Sequence, residues 1–387
     1  MIKKILIGLA IILLLGIGGI YLVLPPINVP IAVFQGGIKA DESLLSQRIS
    51  LPDGFRFNVY ATGLPGARMM KITDHGDLLV TTPSTGEVHL LFKDIDRDGA
   101  ADGSKLILSG LSNPHGIELF QGWLYIAEIN AIGRIKFDAS TREVTGTYTQ
   151  IVTNLPTEGR HWTRTVHAGP DGWLYVSIGS SCNACIEDDP LRAAMIRIRP
   201  DGTDQELYAS GLRNSVDFDW SPSDGALYAT ENGRDLLGDD FPPEELNRIE
   251  SGGFYGWPYI NGFGDPDPEY STDNEEILTS AIQPVHGLSP HNAPLGIRFL
   301  HTGPYRHDAL VALHGSWNRR NKDGYKVVRL HWSAEGKITE SDFMTGFLDN
   351  DDVIGRPAGI AESPTGEIFI SDDFSGSIYR VVYTGQE

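Results

Sequence analysis

The chain has 387 residues, of which 51 are acidic and 31 basic, so its formal net charge is −20 at pH 7. This acidic balance argues against a nucleic-acid partner and suits an exported soluble domain. The length is ample for a hydrophobic core and allows one to three domains.

The N-terminus predicts a membrane-targeting segment. Residues 1–4 include two lysines, and residues 5–24 carry no charge over a length that can span a bilayer. The lysines predict a cytoplasmic N-terminus with the remaining chain outside. We expect residues 5–24 to be an uncleaved anchor, with a cleaved signal peptide as the alternative, and residues 25–50 to be a linker. The expected location is periplasmic or otherwise extracytoplasmic.

A short motif recurs six times, in which a turn precedes an apolar and aromatic run. Its copies lie at residues 76–82, 122–128, 172–177, 225–230, 307–312 and 366–372. The spacing is roughly 46 to 58 residues, apart from one interval of about 83 that contains an insertion. Long amphipathic helical patterns are nearly absent. The repeat predicts an all-β, six-bladed β-propeller over residues 51–387. Residues 54–60 are expected to supply the outer strand of the blade formed by residues 366–382 and so to close the ring.

Polar segments flank the repeated strands at corresponding points, where loops of a propeller face the central channel. These segments are residues 113–116, 159–164, 211–214, 231–235, 290–296, 314–319 and 355–359. We expect ligand-binding residues among them. The alternative for some of the arginines is that they tie blades together by binding carbonyl or carboxylate oxygens.

His161 is the candidate proton acceptor within these segments. An unperturbed histidine titrates near neutrality, and the flanking Arg160 and Arg164 favour its neutral form. The alternative is a loop or core histidine that binds a backbone carbonyl.

Several motifs in combination resemble the soluble glucose/sorbosone dehydrogenase family, and most closely its L-sorbosone dehydrogenase-like branch. His161 lies eight residues before the turn at 169–172, and Arg356 lies ten residues before Gly366. The other matching motifs are GLRN at 211–214, ENGR at 231–234 and GGFYGWP at 252–258. The resemblance covers about residues 51–383. It implies a six-bladed propeller that binds pyrroloquinoline quinone (PQQ) and calcium.

The resemblance also implies an activity, the oxidation of a sugar, a sorbosone-like sugar aldehyde or a polyol. His161 would take the hydroxyl proton while hydride passes to the quinone, and Arg213 would stabilise the oxyanion that forms. The expected cofactor contacts are His115, Arg160, Asn214, His291, His314, Arg319 and Arg356. No C-x-x-C-H haem motif occurs, so the electron acceptor would be a separate quinone or cytochrome.

Two calcium sites are expected. The resemblance implies a cofactor-side ion bound by the backbone carbonyls of Gly233 and Arg234. An acidic cluster at residues 239–245 follows, and it could support an ion or be a solvated loop. The second site is a D-x-D-x-D-G-x-x-D loop, with a plain turn as the alternative. Its four candidate ligands are Asp94, Asp96, Asp98 and Asp102.

The two cysteines, Cys182 and Cys185, form a C-x-x-C pair. Outside the cytoplasm this spacing favours a small-loop disulfide. A redox-active pair is the alternative, and a zinc site would need two further ligands.

Two other function classes compete with the quinoprotein hypothesis. Six-bladed propellers also include calcium-dependent lactonases, which need a channel calcium held by carboxylates and amides. Others only bind ligands. The arginines and histidines of the flanking loops favour an anionic cofactor instead, although fold alone carries no function.

Overall fold

The computed structural model describes residues 41–385 and contains six antiparallel four-stranded sheets arranged as blades. The strands, inner to outer, are: blade 1, Met70–Ile72, Leu78–Thr82, Glu87–Leu91 and Ser104–Leu108; blade 2, Gly116–Phe120, Trp123–Ala127, Ile132–Asp138 and Glu143–Val152; blade 3, Arg164–Ala168, Leu174–Ile178, Ala194–Ile198 and Glu206–Ser210; blade 4, Ser215–Trp220, Leu227–Glu231, Glu244–Ile249 and His286–Leu288; blade 5, Pro294–Phe299, Ala309–Leu313, Lys326–Trp332 and Ile338–Met344; blade 6, Pro357–Glu362, Ile368–Asp372, Ser377–Tyr383 and Phe55–Ala61. The predicted six-bladed propeller is confirmed.

All six copies of the repeated motif form the second strand of a blade. This strand is paired on both edges and covered on both faces by neighbouring blades. Its residues are therefore almost all buried, as in Leu78–Thr82 and Ala309–Leu313. A strand in this position is mostly apolar, and the polar residues near its end, such as Thr81 and Thr82, are buried as well, which explains why the repeat is visible in the sequence.

The inner strands of successive blades contact one another around a complete ring. Blade 6 closes the ring because Phe55–Ala61 pairs antiparallel with Ser377–Tyr383, with Phe55 opposite Tyr383. The predicted closing strand is confirmed. This pairing covers the outer edge of Ser377–Tyr383 with the first strand of the chain's described part.

The helix Glu42–Arg48 lies in the range predicted as a linker. Asp41 caps its N-terminus by accepting from the Ser43 and Leu44 amides. Leu45 is 1% exposed within a core formed by blades 5 and 6. The chain therefore joins the propeller before residue 51. The predicted anchor at residues 5–24 lies outside the described residues, and within 41–385 no helix is long and apolar enough to cross a membrane.

The long interval between the fourth and fifth motif copies contains an insertion at residues 250–285. Gly253–Phe254 adds in parallel to the outer strand of blade 3. A hairpin of Ile260–Asn261 with Asp265–Pro266 and the short helix Glu275–Ser280 follow. The insertion covers part of blade 4. A second small hairpin pairs Leu348–Asp349 with Asp352–Val353.

Candidate functional site

The candidate site lies where loops enter the inner strands. His161, Asn214 and Arg356 each stand one to three residues before an inner strand. Because all inner strands run in the same direction around one ring, their starting ends share one face of the propeller. Polar side chains that enter different blades are thereby gathered at the mouth of the channel.

His161 has one nitrogen engaged and one free of hydrogen bonds to the described residues. Nδ1 lies 2.9 Å from both the carbonyl and the hydroxyl oxygen of Ser180. The carbonyl can only accept, so Nδ1 carries the proton and Nε2 presents a lone pair. Burial, followed by the charge of Arg213, lowers the pKa of His161 to about 3. The imidazole is therefore neutral and available as a proton acceptor.

Two buried arginines fix the loop that carries His161. Arg164 donates to the carbonyl of His161 at 2.8 Å and to that of Pro156 at 2.5 Å. Arg192 donates to the Glu158 carbonyl and to the Gly179 carbonyl. The alternative expected for some arginines of the flanking segments, binding to carbonyl oxygens, thus applies to Arg164. Arg164 and Arg192 hold His161, which has a φ of 52°, in one position.

Arg213 lies beside His161 but is largely committed to other partners. Its guanidinium makes four hydrogen bonds, to the carbonyl and side-chain oxygens of Asn183, the Asn232 carbonyl and the Asp235 carboxylate. Of its five N–H donors, one remains. The side chain is 3% exposed, so it acts on the site mainly through its fixed charge.

Asn214 and His161 meet across Gly179. A Cβ at Gly179 would lie 2.6 Å from the Asn214 Oδ1 atom and 2.6 Å from the His161 Cβ atom. Only glycine leaves room for both side chains here. The Asn214 Oδ1 atom is buried without a hydrogen-bond partner, a state that a bound ligand could relieve.

A second polar cluster joins blades 5, 6 and 1. Arg356 donates to Nδ1 of His314 at 2.8 Å, and Nε2 of His314 donates to Asp373 at 2.9 Å. Arg68 pairs with the same carboxylate at 2.6 Å. Burial and Arg356 lower the pKa of His314 to about 4, and Arg68 and His314 hold the pKa of Asp373 far below its usual range. Arg68 and Asp373 were not among the predicted site residues.

Trp162 connects the two halves of the mouth. Its ring lies 5.9 Å from that of His115 in an edge-on arrangement, and the Arg68 guanidinium lies 6.0 Å from its centroid. His115 is fully buried, with Nε2 unpartnered, and burial lowers its pKa to about 3. His115, a predicted cofactor contact, is therefore enclosed in the protein interior next to the half-buried Trp162.

Two of the predicted cofactor contacts have structural partners instead. Nε2 of His291 donates to the carbonyls of Gly238 and Phe241, and its Nδ1 accepts from Asn318, so neither nitrogen is free. Arg319 donates to the Pro290 carbonyl. These side chains organise the rim between blades 4 and 5. Arg160, in contrast, is exposed beside His161.

Three glutamates next to the site are buried rather than solvated. Burial, with Glu245 nearby, raises the pKa of Glu231 to about 8, and burial raises the pKa of Glu244 to about 8 and of Glu245 to about 7. Glu244 accepts from the Gly233 amide at 2.5 Å. The sequence analysis left open whether the acidic cluster was a solvated loop, and for Glu244 and Glu245 it is not.

A cavity of about 20 Å³ lies between Glu231, Glu245 and the Asn232–Arg234 backbone, enough for one water-sized occupant. The Arg234 side chain pairs with Asp267 and Glu269. Glu231 and Glu245 border the cavity together with the cationic Arg213 and the apolar or aromatic side chains of Pro242, Tyr255, Trp257 and Ile260. The two carboxylates are oxygen donors of the kind that a hard divalent cation prefers.

Two sequence motifs remain, the aspartate loop at residues 94–102 and the C-x-x-C pair at residues 182–185. Carboxylate oxygens of Asp94, Asp96 and Asp102 lie within 4.8 Å of one another, without Asp98, in a loop of blade 1. Cys182 and Cys185 form a disulfide. The residue between them that binds Arg213, Asn183, was not identified from the sequence.

Comparison with known proteins assigns the family. A family model described as TrAA12-like matches residues 49–260 and 262–384. The chain belongs to the TrAA12-like family. An uncharacterized protein of Borreliella burgdorferi is 30% identical over 89% of this chain and 93% of its own length.

One named dehydrogenase and one solved structure are also similar to this TrAA12-like chain. A pyrroloquinoline quinone-dependent pyranose dehydrogenase of Coprinopsis cinerea is 24% identical over 86% of this chain, which spans 54% of that larger protein. The calcium structure of a Trichoderma reesei family AA12 enzyme superposes with a TM-score of 0.74 at 24% identity, over 87% of this chain and 97% of that one. The structural likeness establishes the shared propeller fold.

Proposed function

We propose that this TrAA12-like protein is a PQQ- and calcium-dependent dehydrogenase that oxidises a sugar, a sorbosone-like sugar aldehyde or a polyol. The observation that carries the proposal is His161, whose Nδ1 is fixed by Ser180 while Nε2 is free within a cationic pocket. Its relatives include PQQ-dependent sugar dehydrogenases, which supports the same chemistry.

The mouth of the channel fits an anionic cofactor. Arg160, Arg356 and Arg68 place positive charge around it, while Asp373 offsets only part of that charge. PQQ carries three carboxylates, and arginine binds carboxylates well. The unpartnered oxygen of Asn214 offers an acceptor beside the same space.

The buried glutamates fit calcium. Glu231 and Glu245 border a cavity of single-ion size, and burial raises the pKa of both carboxyl groups although Arg213 lies at the same cavity. A divalent cation there would restore both to the ionised form. Gly233 and Arg234 border the same cavity, and their carbonyls are the proposed cofactor-side ligands.

PQQ when bound would supply the hydride acceptor, and Ca²⁺ would supply Lewis acidity. The chain itself would contribute a base, since Nε2 of His161 would accept the hydroxyl proton of the substrate. A pKa of about 3 makes a weak base, but anionic charge beside Arg213 and Arg160 would raise it. Arg213 would stabilise developing negative charge through its fixed guanidinium.

Location, electron acceptor and subfamily belong to the same proposal. Residues 5–24 would tether the propeller outside the cytoplasm, and the electrons would pass to a separate quinone or cytochrome. The L-sorbosone dehydrogenase-like branch is proposed from the sequence motifs.

Titration of the apo-protein with PQQ, with and without Ca²⁺, tests the proposal. Cofactor absorbance would report binding, and dye reduction would follow across aldoses, sorbosone and simple alcohols. We expect calcium-dependent binding and turnover of at least one sugar. Absence of PQQ binding at every calcium concentration would contradict the proposal, and hydrolysis of lactones would then be assayed.

A further inference from the structure

The loop of residues 94–102 in blade 1 contains a cluster of carboxylates away from the channel mouth. Oxygen atoms of Asp94, Asp96 and Asp102 lie within 4.8 Å of one another. Asp98 instead accepts from the Ala100 amide at 2.8 Å and serves to shape the turn. The D-x-D-x-D-G spacing has thus folded so that three carboxylates converge.

One atom in this cluster lacks a partner. Asp94 is 9% exposed, and its Oδ2 accepts from the Gly99 amide at 3.0 Å and from Arg380 at 3.4 Å. Its Oδ1 is buried and makes no hydrogen bond. A buried carboxylate oxygen among other carboxylates is costly unless a cation compensates it. Arg380 pairs more closely with Glu367, at 2.5 Å, than with Asp94, at 3.4 Å.

The loop also packs on the strand that closes the propeller. The Ala101 amide donates to the Tyr60 carbonyl at 2.9 Å, and the Tyr60 hydroxyl donates to the Phe92 carbonyl at 2.9 Å. A Cβ at Gly99 would lie 2.7 Å from the Asn58 side chain. Whatever fixes this loop therefore fixes the strand Phe55–Ala61 against blade 1.

We infer that Asp94, Asp96 and Asp102 bind a structural Ca²⁺ ion that fastens the closing strand of blade 6 to blade 1. All the candidate ligands are oxygens, as calcium prefers, and waters and loop carbonyls would complete its coordination. This site is separate from the glutamates at the channel mouth and does not depend on the proposed oxidation.

Calcium binding to the full chain, purified in detergent and freed of metal with EDTA, tests the inference. The test variant is Asp96→Asn with Asp102→Asn, both exposed residues. The matched control is Asp138→Asn with Asp201→Asn, two exposed turn aspartates that accept from Ser140 and Thr203. Calorimetric titration should show one Ca²⁺ fewer per chain in the test variant and an unchanged number in the control.

Thermal unfolding and hydrogen exchange locate the effect. Excess Ca²⁺ at about 100 times the dissociation constant should raise the Tm of the wild type by about 4 °C through this site, and this rise should be lost in the test variant. Calcium should also slow amide exchange in residues 55–61 of the wild type alone.

Equal calcium stoichiometry and equal Tm response in the wild type and the test variant would overturn the inference. Unchanged exchange in residues 55–61 would overturn the fastening role. The same comparison made in a Glu245→Gln background separates this ion from one at the channel mouth. If the double variant folds poorly, Asp96→Asn alone should lower the calcium affinity at least 10-fold.

Discussion

Two histidines at the channel mouth, the half-buried His161 and the buried His314, have similar surroundings but differ in whether a ring nitrogen is free. Both lie beside arginines, and burial lowers the pKa of both, to about 3 and about 4. His314 receives a hydrogen bond from Arg356 and donates one to Asp373, so both of its nitrogens are occupied. His161 is held through Nδ1 alone. The free nitrogen, rather than the lowered pKa, is what distinguishes a candidate base from a structural histidine.

The largest expected effect comes from removing the free nitrogen. His161→Ala should lower turnover about 10²- to 10⁴-fold, since general base catalysis contributes that much, while PQQ affinity changes little. His314→Ala should lower turnover far less and act mainly on cofactor binding, because it supports Arg356. Steady-state dye reduction at saturating PQQ measures the difference, and equal losses in both variants would remove the distinction.

Arg356, which donates to His314, should govern the affinity for PQQ. Arg356→Leu should weaken PQQ binding about 10- to 100-fold through loss of a charged hydrogen bond to a carboxylate. Arg319→Leu is the matched control, because Arg319 donates to the Pro290 carbonyl and lies near Asp240 and Asp323, away from the cluster of Arg356 and His314. Fluorescence titration with PQQ would measure both. Equal weakening in the two variants would show that the pocket has been placed wrongly.

A smaller effect is expected from the residue that positions Arg213. Asn183→Ala removes the side-chain acceptor of the Arg213 guanidinium and should lower kcat about 10-fold with little change in PQQ affinity. Asn183→Asp keeps an oxygen at that position and should restore part of the activity. Asn183 lies between the two cysteines of the Cys182–Cys185 disulfide, so reduction of this disulfide should also lower kcat.

The smallest effect concerns stability and pH in EDTA. Between pH 5 and pH 8 the folded chain holds more protons on Glu231 and Glu245 than the unfolded chain, because their folded pKa values are about 8 and about 7. Stability is therefore lost as the pH rises through this window. Thermal scans should show a falling Tm that Glu245→Gln or added Ca²⁺ flattens. A Tm that is independent of pH without calcium would contradict the assignment.

The fold could be predicted because each blade repeats one locally encoded strand. The second strand of every blade is buried on both faces, so its composition is visible in the sequence wherever it occurs. The closing strand was predictable because the last strand of the sixth repeat needs a pairing partner, and residues 54–60 read as a strand. The helix Glu42–Arg48 was not predicted, because its burial depends on a single residue, Leu45.

The site could be predicted only where local sequence determines it. His161 stands at a fixed distance from a turn, but Arg213, whose charge acts on it, comes from the loop that enters blade 4. Arg68 and Asp373 pair across the ring closure, about 300 residues apart in the chain, and no local pattern signals them. His291 resembled a ligand in sequence because the carbonyls that occupy it belong to a distant loop.

The central claim is tested most directly by the rate of PQQ reduction in a single turnover, measured at a series of pH values in protein loaded with PQQ and Ca²⁺. In the wild type the rate should rise with pH through one ionisation, that of His161 with the cofactor bound. In His161→Ala this ionisation should disappear and the remaining rate should be slow at every pH. The same pH dependence in both proteins would show that another group accepts the proton.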